Sequence, residues 1–264
     1  MPRLCLILLT LCLCWGGSLA KAQTSPLVKQ LSAVGKTFRL EYEAKTEGAL
    51  ERFMAEIESL GQAHPAKREP WEMLANVGDW VTDTAEKKRA YTRLAKLDAE
   101  RYSMLVKGAR EELDWLRFLE TPMELKFTAS DGRKVGLAKL RGKVVLIYFC
   151  ASWCPPCVHE FPIIKSVYDW YHKKGFEIVG ISAEKLRAQF DRYTKAKNIP
   201  WPQLHEDRPW ESGLFKRFRV RYIPRQFLLD RTGRIAAQDV RKKLEEEVRK
   251  LMGEAGNVEQ SKEE

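Results

Sequence analysis

The sequence predicts an α/β fold, a mixed central sheet flanked by helices, preceded by an all-α N-terminal domain. Three observations carry this. Apolar residues recur at helical spacing as far as about Glu120, and beyond Pro122 the period drops to two. Two continuous apolar runs, Val144 to Phe149 and Phe176 to Ile181, are joined through a helical stretch, the pattern of a parallel βαβ unit with a strand covered on both faces. The chain then closes with strand, turn, strand and helix between Gln226 and Met252.

Before the helical part, Arg3 leads a short apolar run, Leu4 to Trp15, and Ser18-Leu19-Ala20-Lys21-Ala22 offers small residues for cleavage. That predicts a secretory signal over residues 1–22, too short to favour a membrane span; if retained, it would act as an anchor. The expected location is therefore periplasmic or otherwise exported, of bacterial type. Cys5, Cys12 and Cys14 would leave with this segment, so Cys150, Cys154 and Cys157 would remain. So few cysteines in an exported chain argue against a disulfide scaffold and for a working site.

Residues 23–120 read as a helical domain without recognisable chemistry. Ala49, Phe53, Ile57 and Leu60 form one stripe, ended by Gly61 and Pro65. Trp71, Leu74 and Val77 form a second, closing near Gly78. Thr82 or Thr84 is expected to cap a third helix carrying Ala90, Tyr91 and Leu94, and the apolar positions from Tyr102 to Leu119 predict one or two more. Residues 121–253 form the α/β domain and 254–264 a polar tail. In that domain Asp131-Gly132 turns a hairpin, the two apolar strands follow, Lys185 to Lys197 is a helix, residues 198–202 are a loop, and Trp210 to Phe218 is a short helix. The last strands meet at Arg231-Thr232-Gly233, and Val240 to Met252 is the terminal helix.

The net charge is +10, and almost all of the excess falls in residues 121–264. A basic surface of this kind steers acidic partners or aids solubility. No interleaved aromatic and basic pattern points to nucleic acid. Membrane contact is expected only through a retained signal.

The stretch with chemistry is Trp153-Cys154-Pro155-Pro156-Cys157, set between a buried strand and a helix start. Two cysteines two residues apart in that setting form a thiol–disulfide site. A zinc site would need two more ligands at suitable spacing, and there is no second such pair and no paired histidine. His205-Glu206-Asp207 resembles a ligand cluster only in composition. No metal and no cofactor are expected.

The order hairpin, βαβ, α, ββα, with this motif at the first strand–helix junction, resembles the thioredoxin fold. Pro162 stands where that fold kinks its helix, and Ile223-Pro224 resembles its cis-proline loop. The runs Cys157-Val158-His159-Glu160-Phe161-Pro162, Leu140-Arg141-Gly142-Lys143-Val144 and Phe227-Leu228-Leu229-Asp230-Arg231-Thr232-Gly233 resemble the TlpA/ResA-like thiol–disulfide oxidoreductases. The resemblance covers roughly the second half of the chain. It implies a redox-active Cys154–Cys157 disulfide, exchanged with a client protein and with an electron-donor thiol protein.

Within that picture Cys154 sits at the helix start, where terminal amides and the macrodipole favour thiolate, and it is the attacking nucleophile. Pro155 suits the first helical position, and Pro156 removes a second amide donor, which makes the couple more reducing. Cys157 resolves the mixed disulfide. Glu160 would relay a proton to or from Cys157. Trp153 would cover the site, and Ile223 and Pro224 would hold an extended client. Tyr148 stands where thioredoxin has a buried aspartate, Arg225 follows the proline where small residues are usual, and Cys150 reads as a buried apolar thiol. The expected function is an exported protein disulfide reductase. A peroxiredoxin-like peroxidase would need a threonine three residues before Cys154, where Ala151 stands, and a scaffold protein would work through its helical half.

Overall fold

A computed structural model describes residues 25–253. The expected signal at 1–22 and the polar tail at 254–264 lie outside the described residues. Along the chain the molecule divides into two compact units at Leu116/Arg117.

The first unit is helical: α1 (Pro26–Glu43), α2 (Ala49–Ala63), α3 (Glu69–Ala75), α4 (Val77–Trp80), α5 (Thr84–Leu94) and α6 (Ser103–Glu120), the last running across the division. Ser25 caps α1 by accepting from the Val28 amide, and Pro26 occupies the first turn, where its missing N–H costs nothing. The core is apolar and aromatic. Phe38 stacks on Phe53 with centroids 4.4 Å apart, and Met54, Ile57 and Leu74 are fully buried. Two expectations are corrected. Gly61 lies inside α2 rather than ending it, because the Trp71 ring fills the space a Cβ would take. The cap of α5 is Asp83, whose carboxylate accepts from the Glu86 amide at 2.9 Å; Thr84 is already helical.

In the second unit β1 (Lys126–Thr128) and β2 (Lys134–Gly136) make a separate antiparallel hairpin. The main sheet comprises β3 (Val144–Cys150), β4 (Phe176–Ser182), β5 (Gln203–His205), β6 (Arg225–Leu229) and β7 (Ile235–Gln238), in the order β5-β4-β3-β6-β7. β3, β4 and β5 run parallel, while β6 is antiparallel to both β3 and β7. Four helices accompany it: α7 (Pro155–Tyr171), α8 (Arg187–Ala196), α9 (Gly213–Arg217) and α10 (Leu244–Met252).

Strand alternation sends the side chains of β3 to both faces. Val144, Leu146 and Tyr148 pack with Phe161, Ile164 and Trp201, whereas Phe149 meets Phe215, Phe218 and Phe227. A strand apolar along its whole length is thus the centre of the sheet, as a doubly covered strand requires. This is the mixed, helix-flanked, thioredoxin-like arrangement that the sequence predicts.

Two boundaries differ from expectation, at β5 and at the last helix, while the start of α7 falls where Cys154 and Pro155 predict it. The loop at 198–202 leads into β5, where the Gln203 side chain lies across Gly180, leaving no room for a Cβ there. Helix α7 begins at Pro155, directly after Cys154. Helix α10 begins only at Leu244, because Asp239 turns through a positive φ of 51° and Lys243 N–H bonds back to Val240 O. Among the described residues no helix is long and apolar enough to cross a membrane.

Candidate redox site

The site forms at the end of the sheet where β3 stops. Cys150 pairs with Ser182 of β4, and Phe149 pairs with Arg225 of β6, so the loops after β3 and β4 and before β6 emerge together. The loop after β3 carries Ala151 to Cys154. It is tied to β4 by Glu184, whose Oε1 accepts from the Ser152 amide at 2.6 Å.

Cys154 is the N-cap residue of α7, with extended backbone (φ −96°, ψ 105°). Its own N–H bonds to Ala151 O. Pro155 and Pro156 have no N–H, so of the amides that a helix start leaves unpaired, that of Cys157 alone can serve the Cys154 sulfur. The anion-stabilising power of this helix end is therefore cut to one donor plus the macrodipole.

Cys154 and Cys157 approach to 2.6 Å. Cys154 is only 4% exposed, less open than its place at a helix end suggests, while Trp153 beside it is 50% exposed. The Cys154 thiol points across the site to Ile223 O at 3.7 Å. The Ile223–Pro224 peptide bond is cis. Burial, followed by the hydrogen bond with Cys154, pushes the Cys157 thiol well above its ordinary range, so Cys157 is held protonated.

Beneath the pair lies a buried polar cluster. Glu160 is 8% exposed, on the inward face of α7. The Tyr148 hydroxyl lies 3.4 Å from Glu160 Oε1 and 3.4 Å from Cys157 O. Gln226 Nε2 donates to Glu160 Oε2 at 3.1 Å. Burial raises the Glu160 carboxyl to about 7, against the opposing pull of Arg241 and the Tyr148 hydrogen bond. Burial likewise pushes up the Tyr148 hydroxyl and the Cys150 thiol. Glu160 is one of the charges felt at Cys150, so the third cysteine belongs to the same electrostatic neighbourhood.

The structure thus brings together Cys154, Cys157, Ile223 and Pro224, with Trp153 at the rim and Glu160 one layer down. His159 is exposed, and His205 belongs to the edge strand β5 rather than to a loop. Sequence reasoning missed Glu184, which is 1% exposed with Oε2 lacking a partner among the described residues. Its signal was an acid directly after a buried strand, at the carboxyl edge of a parallel pair, where sites form in open α/β sheets.

Residues 121–238 match the AhpC/TSA family. Among curated proteins the chain is 29% identical over 128 residues to the thiol–disulfide oxidoreductase ResA of Bacillus thuringiensis, covering 47% of this chain and 72% of that one. It is 33% identical over 136 residues to a probable nucleoredoxin 1 of Arabidopsis thaliana, spanning 50% of this chain but 23% of that much longer protein. It is also 42% identical over 98 residues to tryparedoxin of Trypanosoma brucei, covering 36% of this chain and 66% of that one. Among solved structures, a thiol:disulfide interchange protein of Chlorobium tepidum is 26% identical, with a TM-score of 0.46, and covers 51% of this chain and 97% of its own.

Proposed function

We propose that this chain, which carries a thioredoxin-fold domain of the AhpC/TSA family at residues 121–238, is a protein disulfide reductase acting outside the cytoplasm. The observation that carries the reading is the pair Cys154 and Cys157 at the start of α7, 2.6 Å apart, facing the carbonyl of a cis-proline loop. The relatives named for thiol–disulfide exchange support the reaction class.

The cycle runs through two exchanges. Cys154 thiolate attacks one sulfur of a client disulfide, forming a Cys154–client bond as the client S–S bond breaks, and the departing client sulfur takes up a proton. Cys157 then loses its proton and attacks Cys154 Sγ, which releases the second client thiol and leaves the Cys154–Cys157 disulfide. The client gains two electrons and two protons. A dithiol electron-donor protein returns both to the pair. Glu160 would accept the Cys157 proton, and its carboxyl raised to about 7 and its contact with the Tyr148 hydroxyl, which also reaches Cys157 O, support that role. The single amide left at this helix end supports a reducing couple.

A client strand laid along the rim would meet Trp153, the Ile223 backbone and Pro224. A peroxidase reading lacks its threonine, since Ala151 is buried three residues before Cys154. The reading of residues 1–22 as an export signal supports an oxidising compartment, and N-terminal sequencing of the protein purified from its native cell tests cleavage after Ala22. The reaction itself is tested with insulin: Cys154→Ser abolishes disulfide reduction, and Cys157→Ser accumulates a client joined to Cys154. Equal residual turnover in the two variants would overturn the roles.

A further inference from the structure

The proposed exchange does not say which cysteines the site prefers, but the surface around Cys154 does. Seven large apolar side chains stand out as exposed among the described residues, and three of them, Trp153, Leu186 and Tyr222, are at 50%, 58% and 55% exposure. All three sit on the loops that leave the sheet at the redox edge. Trp153 precedes Cys154. Leu186 is two residues after Glu184, which holds the Ser152 amide. Tyr222 precedes Ile223, whose carbonyl faces the Cys154 sulfur. The strand register fixes this convergence, since the ends of β3 and β4 and the start of β6 lie level with one another.

The same loops carry cations. Lys185 and Arg221 are exposed next to Leu186 and Tyr222, and neither has a carboxylate partner among the described residues. Arg241, beyond β7, emerges at this edge because Gln238 pairs with Phe227, and its charge reaches Glu160. Of the acids at this edge, Asp191 pairs with Arg187 and Asp239 with Arg225, while Glu206, half-buried, and Asp207, exposed, follow β5 on the side of β4 away from Cys154. Tyr222 is also held in place, with the Arg225 guanidinium 5.8 Å from its ring centre and that guanidinium anchored on Asp239 and Gln238. A fixed aromatic loses little freedom when a partner docks.

We propose that this edge is a docking surface for protein segments whose disulfide is flanked by acidic and apolar side chains, the apolar ones resting on Trp153, Leu186 and Tyr222 and the acids facing Lys185 and Arg221. The proposal rests on the thiol–disulfide exchange argued above and adds its client class. Exposed charges act mainly on encounter and are screened by salt, so the preference belongs to the rate of client capture.

The test uses the full chain in its dithiol form and two peptides with the same intramolecular disulfide, one flanked by glutamates and one by lysines. A small neutral disulfide, 2-hydroxyethyl disulfide, reports the chemistry alone. At low ionic strength kcat/KM for the acidic peptide should exceed that for the basic one about ten-fold, and the gap should close at high salt. The double variant Lys185→Glu, Arg221→Glu should invert the order, and Lys185→Gln, Arg221→Gln should flatten it. Lys126→Glu, on the hairpin away from this edge, should leave the ratio as it is. Equal rates for the two peptides with the neutral disulfide still reduced would overturn the docking surface, as would a preference that survives the charge-reversed variant. A protein that reduces none of the three would overturn the exchange reading beneath it.

Discussion

The two units treat their carboxylates in opposite ways. In the helical unit, Glu51 and Glu58 sit at the surface and share Arg93, with Arg89 also reaching Glu51, while the interior is apolar and aromatic. In the second unit Glu160, Glu177 and Glu184 are buried, and Gln226 and Gln203 with them. Burying a carboxylate is costly unless its charge is used or suppressed. The helical unit keeps these carboxylates toward its surface, whereas the second unit buries Glu160 and Glu184 near its cysteines. A buried acid with a raised carboxyl near a cysteine pair, here Glu160, is what a chemical site uses.

The contrast can be broken or sharpened by substitution. Cys154→Ser should remove the reaction, lowering insulin reduction by roughly a thousand-fold or more while leaving the thermal transition of the reduced protein in place. Phe53→Ala should do the reverse. It empties the stacked Phe38–Phe53 core, costing about 3–5 kcal/mol in denaturant melts, with the redox midpoint of the cysteine pair unchanged. A shifted midpoint would show that the helical unit has a part in the chemistry.

Glu160→Gln tests the buried acid. Its carboxyl is raised from 4.5 to about 7. The folded chain therefore holds that proton more tightly than the unfolded chain. The stability contributed by the neutral form is complete below about pH 4.5 and is lost as pH rises through about 7. The wild type should weaken over that window by up to about 3 kcal/mol, and the variant should not, as urea midpoints at pH 5 and pH 8 would show. The resolving step should slow about a hundred-fold in the same variant. A pH profile identical to wild type would remove Glu160 from the mechanism.

Glu184→Ala leaves the Ser152 amide without its acceptor and should cost about 1–3 kcal/mol, with slower exchange, and Glu184→Gln, which keeps an acceptor oxygen, should restore much of the rate. At the small end, Arg93→Ala removes a partly exposed pair of bridges and should cost under about 1 kcal/mol, vanishing in high salt.

The central features of the fold could be read from local pattern. The apolar runs of β3 and β4, the cysteine pair between strand and helix, and the proline before β6 each announce themselves within a few residues. What escaped reading depends on distant partners. β5 is three residues long and gains its identity from pairing with β4. Gly61 resembles a helix stop until Trp71, from another helix, is seen to lie on it. Glu184 matters because of an amide 32 residues earlier in the chain. Tyr148 is the instructive case. Its hydroxyl reaches an acid supplied from α7, a contact that no local pattern announces.

Pro156 carries a consequence of its own. It is exposed, and as a proline it offers no N–H to the helix end. Any other residue there would return a backbone donor to the helix end without disturbing the packing below. The balance between dithiol and disulfide at this pair is thus open to adjustment at a single surface position, with the core beneath it left as it is.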